Sequence, residues 1–201
     1  MLKEYYKRFI DIAYACFLWV LFSFLGILIT FGAASCAMFR VVFQTFKTKE
    51  PTNVMRLFSR SFKENLIIST LVWLILVALF IPLYLMYLYA VDSGKSVFLV
   101  LSIVGFYQLL VIFIFSFPLI AVFKTKNNLQ MIKNILIMAN SNLLTNIKLI
   151  GSLAFSVFLV LYVHQVLIVL AIPLYAFLIA FHLKKIIDPM IISINDDKKG
   201  D

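Results

Sequence analysis

Residues 65–91 read NLIISTLVWLILVALFIPLYLMYLYAV, and residues 96–123 read SVFLVLSIVGFYQLLVIFIFSFPLIAVF. Neither stretch contains Asp, Glu, Lys or Arg. At about 1.5 Å per residue, each is long enough to cross the roughly 30 Å hydrocarbon core of a bilayer as one helix. The four residues between them, Asp92-Ser-Gly-Lys95, are typical turn formers. The sequence therefore predicts two antiparallel transmembrane helices joined by a tight turn.

Two further charge-free runs, residues 12–39 and 149–183, extend this pattern over most of the 201-residue chain. The chain is 64% hydrophobic and only 13% charged, whereas a soluble domain carries about 25% charged residues. This composition excludes the water-soluble fold classes. Cys16 and Cys36 form no CxxC pair, which argues against a disulfide scaffold or a cysteine metal cluster. We therefore predict an all-α, polytopic transmembrane helical bundle that forms one integral membrane domain over residues 1–201.

The first and last charge-free runs each allow two interpretations. After a first span, the chain either turns at Gly32 and returns as a short second span, or crosses once and continues as an interfacial helix. The run 149–183 is too long for one span; it either breaks near residues 162–165 or forms one tilted helix that projects from the bilayer. We favour about six membrane segments and keep five as the alternative. The six segments are residues 12–30, 33–47, 66–91, 97–123, 149–163 and 166–183.

Basic residues decide the predicted orientation, because Lys and Arg accumulate on the cytoplasmic side of a membrane. With six segments, both termini share one side with the loops at 47–63 and 124–148. That side then holds 16 of the 18 basic residues, leaving Lys95 outside and Arg40 within a span. The sequence therefore predicts a multi-pass cell membrane protein with both termini in the cytoplasm. Its net charge of +9 reflects loops that face anionic lipid, and no motif indicates nucleic-acid binding.

Two segments of the predicted cytoplasmic loops have apolar residues at helical spacing, namely 53–66 and 128–148. Asn53 is a plausible N-cap for the first of them. We expect one or two amphipathic helices that lie in the cytoplasmic interface. They would either anchor the bundle to the membrane or present a docking surface to a partner.

Arg40 and Gln108 are the polar residues that could form an intramembrane site. Arg40 would lie near mid-depth of the second segment; it could bind an anionic group in the bundle interior, or extend to the cytoplasmic interface. Gln108 lies well inside the charge-free run 96–123, where an interhelical hydrogen bond explains it more simply than a transport site.

A cluster of small residues follows the first span and includes Gly32, Ala33, Ser35 and Ala37. Small side chains let helices approach closely, so the cluster either packs the bundle internally or forms a contact face for another membrane protein. No catalytic dyad, metal-ligand set or phosphate-binding motif can be assembled from the acidic and histidine residues. The sequence therefore predicts neither an enzyme nor a cofactor or metal site.

Three stretches resemble the YesL-like family of bacterial integral membrane proteins. They are LWVLFSFLGILITFG at 18–32, AASCAMFRVV at 33–42 and FSRSFKEN at 58–65. The residues that carry the resemblance are Trp19, Gly26, Gly32, Phe58, Phe62, Lys63 and Asn65. The chain departs from the family where Ala33 or Ala34 stands in place of a usual proline. The resemblance implies a cell membrane protein associated with carbohydrate uptake and two-component systems. The family's activity is undefined, so the resemblance assigns no catalytic residue.

Two functional hypotheses follow. The first is an accessory or regulatory partner of a carbohydrate ABC importer or an associated sensor system, binding the permease or the sensor kinase in the membrane. The second is a small transporter or channel, for which residues such as Arg40 and Gln108 would have to line a polar path.

Overall fold

The computed structural model describes residues 2–24, 26, 29–47, 53–123, 128–163 and 168–197. These residues form seven α-helices and one π-helical segment, with no strand among them. The elements are α1 (Leu2–Phe24), α2 (Thr30–Lys47), α3 (Val54–Ser93), α4 (Ser96–Val122), α5 (Asn128–Ser141), α6 (Leu143–Phe158), the π-helical segment (Leu159–Val163) and α7 (Ile168–Asp197). The prediction of an all-α helical bundle is confirmed.

Helix α2 folds back along α1. The Cys16 thiol donates to the Met38 sulfur at 3.7 Å, and the Trp19 indole N–H donates to the Ser35 hydroxyl oxygen at 2.9 Å. The prediction of a turn at Gly32 is wrong, because α2 already begins at Thr30. The chain reverses earlier, where the Gly26 carbonyl accepts the backbone N–H groups of Ile29 and Thr30.

Helix α3 is unbroken over 40 residues, a length of about 60 Å at 1.5 Å per residue. The Asn53 side chain accepts the N–H of Arg56 at 3.1 Å, as expected of an N-cap. A separate interfacial helix over 53–66 is a wrong prediction, since this segment forms the first turns of α3. The helix ends at Ser93 because Gly94 takes a left-handed φ of 65°, and α4 begins two residues later. The predicted α3–α4 hairpin is therefore present.

The predicted amphipathic helix over 128–148 is divided into two. Asn142 has φ −129° and ψ 65°, which lies outside the helical region, and it separates α5 from α6. Its carbonyl oxygen accepts the N–H groups of Thr145 and Asn146 and starts α6. The Asn146 side chain then donates to the Ala139 carbonyl oxygen at 2.7 Å, which ties the two helices together.

Residues 149–183 are divided between two helices that pack against each other, not joined in one long helix. Helix α6 continues as the π-helical segment to Val163, and α7 begins at Ile168. The predicted break at residues 162–165 falls next to this position. His164 and Gln165, which we expected at an outer turn, lie outside the described residues.

Four helical segments in the described part of the chain are long and apolar enough to cross a membrane: Val54–Ser93, Ser96–Val122, Leu143–Tyr162 and Leu170–Ile187. Helices α1 and α2 are not among them. Polar and charged side chains lower their hydropathy, including Lys7, Arg8 and Asp11 in α1 and Arg40 and Lys47 in α2. A multi-pass membrane protein is therefore supported, and the count of six membrane segments stays a prediction.

Helix α2 lies at the centre of the bundle, where it contacts α1, α3, α4 and α7. The α1–α2 connection meets α3 at Thr70, whose hydroxyl donates to the Ile29 carbonyl oxygen at 2.7 Å. Beyond this point residues 71–93 of α3 and 96–107 of α4, here called the distal hairpin, carry mostly exposed apolar side chains. The fold thus has a packed bundle at one end and a two-helix extension at the other.

Candidate functional site

Arg40 lies beside the C-terminal end of α4. Its half-buried guanidinium donates from Nη1 to the carbonyl oxygen of Ala121 at 3.0 Å, one residue before the last residue of that helix. Carbonyls in the last turn of a helix lack intrahelical partners and carry partial negative charge, so a guanidinium there is stabilising. The charge-free run of α4 ends two residues later at Phe123. Arg40 is therefore level with the end of that run, and its depth in a membrane stays a prediction.

Gln108 makes an interhelical hydrogen bond, which is the simpler of the two interpretations that the sequence allowed. Its side-chain Nε2 donates to the Oδ1 of Asn140 on α5 at 3.1 Å. Gln108 lies 13 residues before Ala121 on the same helix, a rise of about 20 Å. The structure therefore does not bring Arg40 and Gln108 together into one polar site.

The small-residue cluster packs inside the chain. Gly32, Ala33, Ser35 and Ala37 are all buried on α2. A Cβ atom added at Gly32 would lie 2.5 Å from the backbone oxygen of Ser69 on α3, closer than atoms can approach. Glycine is therefore what allows the α2 and α3 backbones to meet here. The cluster is covered by helices of the same chain, so a protein partner would have to dock elsewhere.

An aromatic cluster that we did not predict joins the bundle to the distal hairpin. The ring of Phe31 on α2 lies 5.7 Å from Trp19, 4.6 Å from Trp73 and 6.1 Å from Phe117, measured between centroids. Phe113 stacks on Phe31 at 6.5 Å. These rings come from α1, α2, α3 and α4, so the cluster fixes the junction of four helices. The sequence signal available was the i, i+4 spacing of Phe113 and Phe117.

A cavity of about 380 Å³ lies next to this aromatic cluster. Its walls come from α1, α2, α4, α6, the π-helical segment and α7, and they are almost entirely apolar. Trp19, Phe31 and Tyr175 contribute rings to the walls, and Ser35 contributes a hydroxyl that is already engaged. Val157 and Leu161 line the cavity and are also 46% and 70% exposed. The cavity therefore reaches the outer surface of the bundle beside α6.

An exposed stripe, here called the α3 stripe, runs along the length of α3. Its members recur at helical spacing of three, four or seven residues: Arg56, Arg60, Lys63, Ile67, Leu71, Leu74, Ala78 and Leu85. The stripe is basic over its first three members and apolar thereafter. A shallow apolar groove lies beside it, where Ile67 and Leu71 approach Ile29 of the α1–α2 connection.

The His, Cys, Asp and Glu side chains in the described part of the chain form no metal-binding cluster. No group of three or more His, Cys, Asp or Glu residues there is placed to hold a metal ion. Cys16 and Cys36 are buried thiols that form no disulfide. Arg60 pairs with Glu64 on its own helix at 2.8 Å, which is a surface contact.

Residues 12–87 match the model of a family described as a protein of unknown function, DUF624. The match covers 76 of the 201 residues. The resemblance to the YesL-like family is consistent with that match. No curated protein and no solved structure matches the chain.

The matched segment covers the second half of α1, the whole of α2 and most of α3. Phe58, Phe62 and Asn65, which carry the YesL-like resemblance, lie where the α1–α2 hairpin packs onto α3. The ring of Phe22 lies 5.5 Å from Phe58 and 5.1 Å from Phe62. Asn65 donates to the Ser61 carbonyl oxygen, and its own carbonyl accepts the Ser69 hydroxyl opposite Gly32. These residues of the YesL-like resemblance therefore make packing contacts in this chain.

Proposed function

We propose that this membrane protein is an accessory or regulatory subunit that binds another membrane protein of a carbohydrate import or sensing system. The observation that carries the proposal is the continuity of α3. One helix of 40 residues joins a basic segment at its N-terminal end to the apolar distal hairpin. In this proposal both chain termini and the basic turns of α3 lie on the cytoplasmic side.

The α3 stripe is the surface that we assign to the partner. Ile67 is 78% exposed and Leu85 is 59% exposed, so apolar side chains are available over several turns of one face. A transmembrane helix of the partner would pack along these residues. Acidic side chains at the cytoplasmic end of that helix would face Arg56 and Lys63, and such charge complementarity favours one orientation.

The interior polar groups support a binding role over transport. The Arg40 guanidinium donates to the Ala121 carbonyl oxygen at the end of α4. Gln108, about 20 Å from Ala121 along the same helix, donates to Asn140. The Ser69, Ser116 and Ser152 hydroxyls each donate to a backbone carbonyl on their own helix. These polar groups are engaged in hydrogen bonds within and between helices, whereas in a small transporter polar groups would line the substrate path.

The carbohydrate context rests on the YesL-like resemblance, which associates such proteins with sugar uptake and two-component systems. The partner classes that follow are the permease of a carbohydrate ABC importer and a sensor kinase.

Site-specific photocrosslinking in the native membrane tests this function. A benzophenone side chain at Ile67 or Leu71 should crosslink to a protein of one of these two classes. The control position is Ile103 on α4, which is 55% exposed and lies outside the α3 stripe. Equal crosslinking at Ile103, or crosslinks to lipid alone at both stripe positions, would contradict the proposal.

Charge reversal supplies a second test. Arg56→Glu combined with Lys63→Glu should reduce copurification of the crosslinked protein at least tenfold. Lys133→Glu on the exposed face of α5 should leave it unchanged. If both variants retain the partner equally, the basic end of the α3 stripe has no role in binding.

A further inference from the structure

We propose that the cavity between α2, α4, α6 and α7 is a binding site for one acyl chain of a membrane lipid. This inference is separate from the partner-binding function, because the cavity and the α3 stripe share no residue. It assigns a ligand class to an interior site that the sequence did not indicate.

The walls of the cavity decide the chemistry of its occupant. Trp19, Phe31, Met38, Phe113 and Tyr175 present rings and a thioether toward a space of about 380 Å³. A buried water needs about two to four polar partners, and the walls expose almost no polar surface to this space. No Lys, Arg, Asp or Glu lines the cavity, so a charged headgroup has no counterion inside it. The site therefore fits an uncharged hydrocarbon chain.

The opening of the cavity places it in reach of lipid. Val157 and Leu161 line it and are exposed on the outer surface. Both belong to the segment Leu143–Tyr162, which is long and apolar enough to cross the membrane. An opening on a spanning helix faces hydrocarbon, so a neighbouring lipid can insert a tail without leaving the bilayer.

The size of the cavity selects a lipid tail over a protein segment. An α-helix has a diameter of about 10 Å with its side chains, so a volume of 380 Å³ holds only about one turn of helix. Ligand pockets for small molecules span about 300–1,000 Å³, and the cavity falls within this range. An extended chain of methylene groups can fill such a space because it carries no hydrogen-bonding group that would need a partner there.

The π-helical segment forms part of the entrance. Val160 and Leu161 line the cavity from this segment, where α6 departs from regular α-helical geometry. Such π-helical turns are rare and occur frequently at functional sites.

Fluorescence quenching of Trp19 tests the site in the full-length protein. In a Trp73→Phe background, Trp19 is the single tryptophan and lines the cavity. The protein is reconstituted in liposomes of phosphatidylcholine with brominated acyl chains, and its emission is compared with that in unbrominated liposomes. We expect strong quenching that falls at least twofold in Ala171→Phe, because this side chain fills the cavity from α7.

The matched control is Ala154→Phe, which places the same ring on the exposed face of α6 outside the cavity. It should leave quenching unchanged. Ala171 is buried, so its variant could fail to fold. Val157→Phe, at the exposed mouth of the cavity, is therefore a second variant whose ring would obstruct entry of the acyl chain. Equal quenching in wild type and in both blocked variants, with thermal stability retained, would overturn the inference.

Discussion

Helix α2 and the distal hairpin invert the usual relation between hydropathy and burial. Twelve of the 18 residues of α2 are buried, although this helix contains Arg40 and Gln44 and is not apolar enough to count as a candidate span. In α3, by contrast, only 17% of the residues in an apolar stretch of 18 residues are buried. Lipid solvates apolar side chains as well as a protein core does, so the most apolar helices need no cover. In a membrane protein the packed centre is set by small and polar residues that allow close approach.

The largest expected difference between these two regions comes from deleting a phenylalanine ring in each. Phe58→Ala should destabilise the fold by about 3–5 kcal/mol, because a fully buried ring leaves a cavity. Phe80→Ala, on the same helix and 48% exposed, should cost less than about 1 kcal/mol because lipid refills the space. Unfolding by SDS titration from mild-detergent micelles measures both. Equal losses would remove the contrast between bundle and distal hairpin.

Glycine-to-alanine changes compare close approach in the two regions. At Gly32 the new Cβ would meet the Ser69 backbone at 2.5 Å, so Gly32→Ala should cost about 1–3 kcal/mol. At Gly105 the nearest atom is the terminal methyl of Leu83, which can rotate away, and the cost should be smaller.

Gly151→Ala is the control for helix propensity, because its added Cβ meets nothing within 4 Å. It should stabilise the protein by about 0.5–1 kcal/mol. Thermal unfolding in detergent ranks the three variants. A loss at Gly105 as large as that at Gly32 would show that the distal hairpin is packed as rigidly as the bundle.

The Arg40–Ala121 contact predicts a smaller effect within the bundle. Arg40→Met keeps most of the aliphatic stem but removes the charge at the end of α4, and should cost about 1–2 kcal/mol. Arg60→Met removes a surface pair with Glu64 and should cost less than about 0.5 kcal/mol. The same SDS titration compares them. If Arg60→Met costs as much, Arg40 has no special role in stabilising α4.

The smallest expected effect is the coupling between Trp19 and Ser35. A double-mutant cycle with Trp19→Phe and Ser35→Ala should give about 0.6 kcal/mol, typical of interhelical hydrogen bonds in membrane proteins. The cycle is measured by thermal unfolding of the four proteins. Additive losses would mean that the α1–α2 contact is held by packing alone.

The helices and the α3–α4 turn could be predicted because their signals are local. Within the predicted turn at residues 92–95, Gly94 adopts the left-handed φ that ends α3 after Ser93. Asn53 caps α3 as expected, yet the interfacial helix assigned after it was wrong. The apolar face at Val54 and Phe58 continues in phase to Ser69 and Val72, and no helix breaker intervenes. The change from charged to apolar side chains marks a change of solvent, and the helix continues through it.

The candidate sites depended on contacts between distant residues, which local patterns do not contain. The partner of Arg40 lies 81 residues away and that of Gln108 lies 32 residues away. The small residues around Gly32 indicated close approach, but only the fold shows that Ser69 is the neighbour. The break at Asn142 left a weak signal in the run Asn140-Ser-Asn142, since asparagine and serine compete with helical hydrogen bonds.

The length of α3 makes the position of its basic end depend on bilayer thickness. Its charge-free portion, residues 65–91, is 27 residues long, about 40 Å, which exceeds a hydrocarbon core of about 30 Å. A helix that is too long tilts or locally thickens the membrane. A thinner bilayer would tilt α3 further and move Arg56 and Arg60 sideways along the membrane surface. A change in membrane thickness would therefore displace the basic N-terminal end of α3 relative to the rest of the membrane surface.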